Sequence, residues 1–258
     1  LFDSSLTFVS LTTPRMPAGQ ANPWVRSVFA DGTLLVSTSL PDSAASTERT
    51  IRYRVVLNRL WPTEERTDSL LDFLGPAQIR HPQYRDATFG NALFTPVPSY
   101  SASGTRIALT SGEHFEIGQY DLSGKLVEIL RRRLPPIPVA AGDREEAADR
   151  WAARIDSTVR DRFRAEILAA SPARSSPPIG GIRFATDGRL WARYGERGPD
   201  DSPPMAVFDS TGRWETDVAI PRGITVNEIG ADYLLGSLAD DDGFYHLRLY
   251  RIRRLPRS

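Results

Sequence analysis

The sequence predicts an all-β protein of the β-propeller class, and three observations predict it. One short phrase recurs as Leu1 to Phe8, Gln119 to Leu126 and Val207 to Trp214. In each copy an aromatic residue is followed by Asp, and a polar or cationic residue leads on. This is the local chemistry of a tight β-hairpin, because Asp bonds nearby backbone and opens the turn. A second phrase sets Asp, usually with Gly, between two apolar runs at Phe29 to Val36, Phe184 to Trp191 and Ile229 to Gly236, with a looser copy at Tyr100 to Ile107. The two phrases alternate, which divides the chain into four-stranded units A to D from the inside outward. The second phrase turns A into B and the first turns C into D, and radial repetition of such units makes a propeller.

In chain order, residues 1–13 hold an orphan outer strand, Thr7 to Leu11, with no A, B or C before it. Residues 14–75 form a blade with strands near 24–29, 33–37, 51–60 and 69–74. Residues 76–133 form a second blade, with strands near 105–109, 115–120 and 125–130 and an inserted loop at 76–98. Residues 134–178 are a helical insertion. Residues 179–221 form the blade that is easiest to read, with strands near 181–186, 189–194, 205–208 and 213–220. Residues 222–258 supply three strands of a last blade and then end without an outer strand. The whole is expected to be a single domain. Either the orphan strand completes the last blade of a four-bladed ring, or the four blades are the later part of a larger, six-bladed one. The second reading is preferred, since Leu1-Phe2-Asp3 reads as the end of a C strand begun earlier.

The inserted helix is expected from Asp143 to Ala170, a stretch rich in Ala, Glu and Arg without Gly or Pro, with Asp143 as its N-cap. Trp151, Ile155, Val159, Phe163 and Ile167 recur every four residues, close to one helical face. Pro135, Pro136 and Pro138 before it, and Pro172, Pro177 and Pro178 after it, set it off from the blades. An apolar row of that size needs cover, since burial of each large side chain is worth about 1.5–3 kcal/mol. It either packs on its own propeller or docks a partner protein.

The run Glu113 to Val127 and the ending formed by Ile229 to Gly236 with Arg248 to Ile252 resemble secreted six-bladed, NHL-like β-propeller proteins of GC-rich Gram-negative bacteria. The resemblance spans the chain from Phe29 onward. It implies a propeller fold and export to the periplasm, and it brings no catalytic motif. The chain departs from that family in lacking its first blades.

Composition narrows function by exclusion. Lys and Arg total 32 and Asp and Glu total 32, so there is no net charge to draw the chain to nucleic acid or anionic lipid. No cysteine is present, which excludes disulfides, thiolate catalysis and Cys-ligated metal. No apolar run approaches the length of about 18 residues that crosses a bilayer. The three histidines, His81, His114 and His246, have no catalytic or metal-binding spacing, and no zincin, nucleophile-elbow or phosphate-loop motif occurs.

Carboxylates offer a candidate site. Glu113, Asp200, Asp201, Asp240, Asp241 and Asp242 fall on B–C loops, which emerge on one face of the ring. Gathered carboxylate oxygens can coordinate Ca²⁺, although Asp also fills tight turns for reasons of its own. No other cofactor is expected. Trp191, Trp214, Tyr194 and Phe208 can stack on sugars or pack between blades. The expected function is a non-catalytic binding or accessory subunit, periplasmic and docked on other protein subunits of a larger complex, membrane-bound and for example energy-transducing. The alternatives are a propeller hydrolase or lactonase with a central metal, and a carbohydrate-binding module.

Overall fold

The structure is a computed structural model of the 258-residue chain; it describes residues 21–64, 66–81, 87–153, 155–171, 174–195, 204–221, 223–240 and 242–253. The orphan strand expected at Thr7 to Leu11 lies outside the described residues. Four antiparallel sheets follow one another along the chain in a propeller arrangement. The first holds β1 (Ala21–Val28), β2 (Leu34–Asp42), β3 (Thr50–Trp61) and β4 (Arg66–Leu74), and its β3 also carries a side ladder of β5 (Gln78–Arg80) and β6 (Thr88–Asn91). The second runs in order β7 (Ser99–Ser103), β8 (Arg106–Thr110), β9 (Glu116–Tyr120) and β10 (Leu126–Arg131). After the helical insertion come β13 (Ile179–Phe184), β14 (Leu190–Tyr194), β15 (Pro204–Phe208) and β16 (Trp214–Ala219), then β17 (Thr225–Ile229), β18 (Tyr233–Ala239) and β19 (Tyr245–Arg251). The last sheet has three strands.

The first recurring phrase does the same job in both of its described copies, and the copy at Leu1 to Phe8 lies outside the described residues. In the second sheet the Asp121 carboxylate accepts from the Ser123 backbone N–H at 2.8 Å, the Ser123 hydroxyl at 2.6 Å and the Lys125 N–H at 3.1 Å. Asp209 repeats this in the third, with Thr211 N–H at 2.8 Å, the Thr211 hydroxyl at 2.7 Å and Arg213 N–H at 3.0 Å. The glycines that follow, Gly124 and Gly212, sit at φ of 78° and 77°, where a side chain is strained. They also let each turn reach the blade before it. A Cβ on Gly124 would collide with the Leu70 carbonyl oxygen of β4, and one on Gly212 with the Glu128 carboxylate of β10.

Three apolar cores hold successive sheets together. Phe29, Leu35, Leu57 and Ile107 join the first to the second; Ile117, Leu130, Ile182, Leu190 and Phe208 join the second to the third; Trp191, Val207, Ile229 and Leu234 join the third to the last. Inner strands are tied as well. Ser99 and Ser101 of β7 offer their hydroxyl oxygens to the Ile182 and Phe184 N–H groups of β13 at 3.1 and 2.9 Å, and the Thr186 N–H donates to the Ile229 carbonyl at 2.8 Å. Among the described residues, no apolar core joins the last sheet back to the first.

The helical insertion corrects one expectation. Two helices stand where one was predicted: α1 (Ala141–Ala152) and α2 (Arg160–Ala170). They rise from a neck in which β11 (Ile137–Pro138) pairs with β12 (Ser175–Ser176). The break has a local cause, since the Asp156 carboxylate accepts from both the N–H and the hydroxyl of Thr158, at 2.8 and 2.6 Å, which offers the backbone an alternative to the helix. Asp143 is not the N-cap either. It is the third helical residue, and its carboxylate reaches back to the N–H of Ala140, the residue before the helix, at 2.9 Å.

Candidate functional site

Each of the first three blades ends on an outer strand, β4, β10 or β16, that covers the C strand inside it. Among the described residues β19 pairs with β18 alone, in unbroken register from Tyr233↔Arg251 to Ala239↔Tyr245. Because side chains alternate along a strand, Tyr250, with Ile252 beyond it, faces the core shared with the third blade. Tyr245, Leu247 and Leu249 take the opposite face. They are 75%, 73% and 71% exposed, and the neighbouring Phe244 is 70% exposed. Scattered exposed leucines are ordinary, but a contiguous apolar row on an unpaired strand is a surface built to be covered.

Charge sets the character of this edge. Arg251 extends the apolar row, Arg248 lies on the other face of β19, and neither has a carboxylate partner among the described residues. Elsewhere in the molecule, C and D strands meet with opposite charges. Arg54 on β3 pairs with Asp72 on β4 at 2.8 Å, and Glu116 on β9 pairs with Arg131 on β10 at 2.7 Å. The turn that enters β19 is hydrogen-bonded by Asp240. The Asp240 carboxylate accepts from the Asp242 and Phe244 N–H groups at 3.1 and 2.8 Å, and lies 2.6 Å from His246 Nε2. The hydrogen bond to His246 first, then those from the backbone, hold the Asp240 carboxyl below the usual carboxylate range.

The residues singled out in the sequence divide sharply. Phe163 is 3% exposed, and Ile167 is fully buried in a cluster with Ile79, Ala92 and Leu93 from the 76–98 insertion. The Phe163 ring stands 4.6 Å from Phe89 and 5.2 Å from His81. Trp151 is half-buried with its ring against the backbone of Gly90, while Ile155 and Val159 sit half-buried in the link between the helices. The two insertions therefore cover one another, and Phe163 and Ile167 are interior contacts of this chain rather than an outward docking face. Of the carboxylates, Asp240 is engaged in its turn and Asp242 is exposed beside it; Asp200, Asp201 and Asp241 lie outside the described residues. Among the described residues, no three His, Asp or Glu side chains gather at a metal-binding distance. Trp191 and Phe208 are buried between blades, Arg132 lies 4.6 Å over the Tyr194 ring, and Trp214 is half-exposed.

Sequence reasoning expected a last blade without an outer strand but did not single out the apolar row on β19.

No family model matches the chain, and no curated protein matches it. Among solved structures, one from a structural and mechanistic analysis of two prolyl endopeptidases is similar at 12% identity and a TM-score of 0.24, covering 89% of this chain and 46% of that one. The chain thus spans about half the length of that structure, and a likeness of this strength carries no argument about activity. Among the described residues, no helix is long and apolar enough to cross a membrane.

Proposed function

We propose that the chain is a non-catalytic binding propeller, an accessory subunit that docks on a larger assembly by accepting a strand from a partner protein along β19. The resemblance noted in the sequence supports a periplasmic setting, with the assembly at the membrane. The observation that carries the reading is the exposed row Tyr245, Leu247 and Leu249 on a strand that, among the described residues, has no outer neighbour. Strand addition supplies main-chain hydrogen bonds for affinity and alternate side chains for specificity. The partner strand is one in which apolar residues, laid against Leu247 and Leu249, alternate with acidic residues on the face of Arg248.

Two other occupants fit less well. A second copy paired antiparallel would set the arginines of one β19 against those of the other, and like charges across a ladder are unfavourable. The segment Thr7 to Leu11 contains no carboxylate.

The test uses the full chain and a synthetic peptide with the sequence of β16, Trp214 to Ala219, in which Glu215 and Asp217 alternate with Trp214, Thr216 and Val218. Isothermal titration is expected to give saturable binding. Binding is lost in the Leu247→Asp, Leu249→Asp double variant and weakened when the peptide acids are replaced by Lys. Equal binding by wild type and double variant, or dimerisation of the chain through β19 in sedimentation experiments, overturns the reading.

A further inference from the structure

A second surface, far from β19 in the chain, is an open groove between the first two blades. It has a volume of about 790 Å³, within the usual range for small-molecule sites. Its floor is the end of the first sheet, with Ser37, Ser39, Tyr53 and Phe73, and its far wall is Tyr100 of β7. Trp24 and Arg26 of β1 stand at one side.

The chemistry of this lining is specific. Trp24 is 64% exposed, so a flat ligand can lie on its indole face. The Arg26 guanidinium carbon lies 5.8 Å from the Trp24 ring centre and 5.9 Å from that of Tyr100, held between two aromatic side chains. Arg26 Nε donates to the Ser37 hydroxyl at 2.7 Å, which fixes the head group and leaves the terminal nitrogens for another acceptor. Among the described residues no Asp or Glu lines the groove, and none pairs with that cation. The hydroxyls of Ser39 and Tyr53 make no hydrogen bond among the described residues.

We infer that this groove binds an acidic saccharide, a uronate unit whose apolar ring face stacks on Trp24, whose carboxylate pairs with Arg26, and whose hydroxyls meet Ser39 and Tyr53. Aromatic stacking suits the C–H face of a sugar ring, and a planar guanidinium matches a carboxylate in a two-point pair. A neutral sugar would leave the cation unpaired, and a simple aliphatic acid would leave the aromatic wall uncovered.

The probe is trigalacturonate, followed by titration calorimetry and tryptophan fluorescence on the full chain, with its methyl ester as a comparison that keeps shape and removes charge. Saturable binding of the acid is expected, with the ester bound about tenfold or more weakly, the loss typical of a charge-assisted hydrogen bond. Arg26→Gln keeps a donor for Ser37 and is expected to bring acid and ester to equal affinity, while Trp24→Ala, at an exposed position, weakens both. Thermal unfolding of each variant checks that the fold persists. Absence of saturable binding by trigalacturonate, equal affinity for acid and ester in the wild type, or an undiminished preference in Arg26→Gln overturns the inference.

Discussion

At the scale of single residues, the recurring turn glycines carry unequal burdens. Gly124 and Gly32 share the left-handed conformation, at φ of 78° and 81°, but a Cβ on Gly32 would meet open space while one on Gly124 would strike the Leu70 carbonyl. Gly32→Ala is therefore expected to lose only the conformational term, about 1–2 kcal/mol. Gly124→Ala should lose more, about 2–4 kcal/mol, because the hairpin must also lift off the preceding blade; urea unfolding of the two variants side by side measures the difference. Asp217 offers a test by pH. Arg132 donates to it twice, at 2.8 and 3.0 Å, and the Trp214 indole N–H donates at 3.1 Å, which latches the second blade to the third. Burial pushes the Asp217 carboxyl up, but hydrogen bonds from Arg132, Tyr194 and Trp214 outweigh it and hold the group below the usual carboxylate range. A carboxyl lowered in the folded state stabilises the protein at all pH above its unfolded value, near 4, and that contribution disappears as pH falls through the folded value. Asp217→Asn should lower stability by about 1–2 kcal/mol at pH 7 and by much less at pH 2–3. A constant difference across that range would remove the ion pair from the account.

At the scale of elements, the strands were legible because what makes them is local. Asp and Gly at the turns and alternating apolar residues between them are readable within ten residues, and the strands expected in the third blade match β13 to β16 closely. The helical insertion was legible as helix but not as two helices. A recurrence of four residues runs straight through Asp156 and Thr158, whose side-chain bond to the backbone ends the helical path. Nor could local pattern show that the 76–98 and helical insertions pack together, since Phe89 and Phe163 are far apart in sequence and meet only in the fold. This contact makes a prediction. Phe163→Ala should destabilise the protein by about 3–5 kcal/mol, the usual loss for a large buried aromatic, with proteolysis beginning in the insertions. Wild-type unfolding behaviour in that variant would mean that the insertions are not packed as described.

At the scale of the whole molecule, among the described residues three blades carry an outer strand and the last carries none. Whether an apolar row is core or surface depends on its neighbour, so Tyr245, Leu247 and Leu249 read in sequence like the buried strands of any other blade, and their exposure became visible only in the fold. The Asp240 turn was misleading for the opposite reason: a carboxylate that looks available for a cation is already engaged by backbone N–H groups and His246. Since Leu247 and Leu249 touch little, the double change Leu247→Asp, Leu249→Asp should alter the stability of the isolated chain by less than about 0.5 kcal/mol while abolishing strand binding. The separation of those two effects is what distinguishes a docking edge from a piece of core. Amide hydrogen exchange tests this most directly. In the free chain the β19 amides should exchange orders of magnitude faster than those of β15, its counterpart in the third blade, and adding the β16-sequence peptide should slow them selectively; β19 amides already as protected as those of β15, or unchanged by the peptide, would contradict the account.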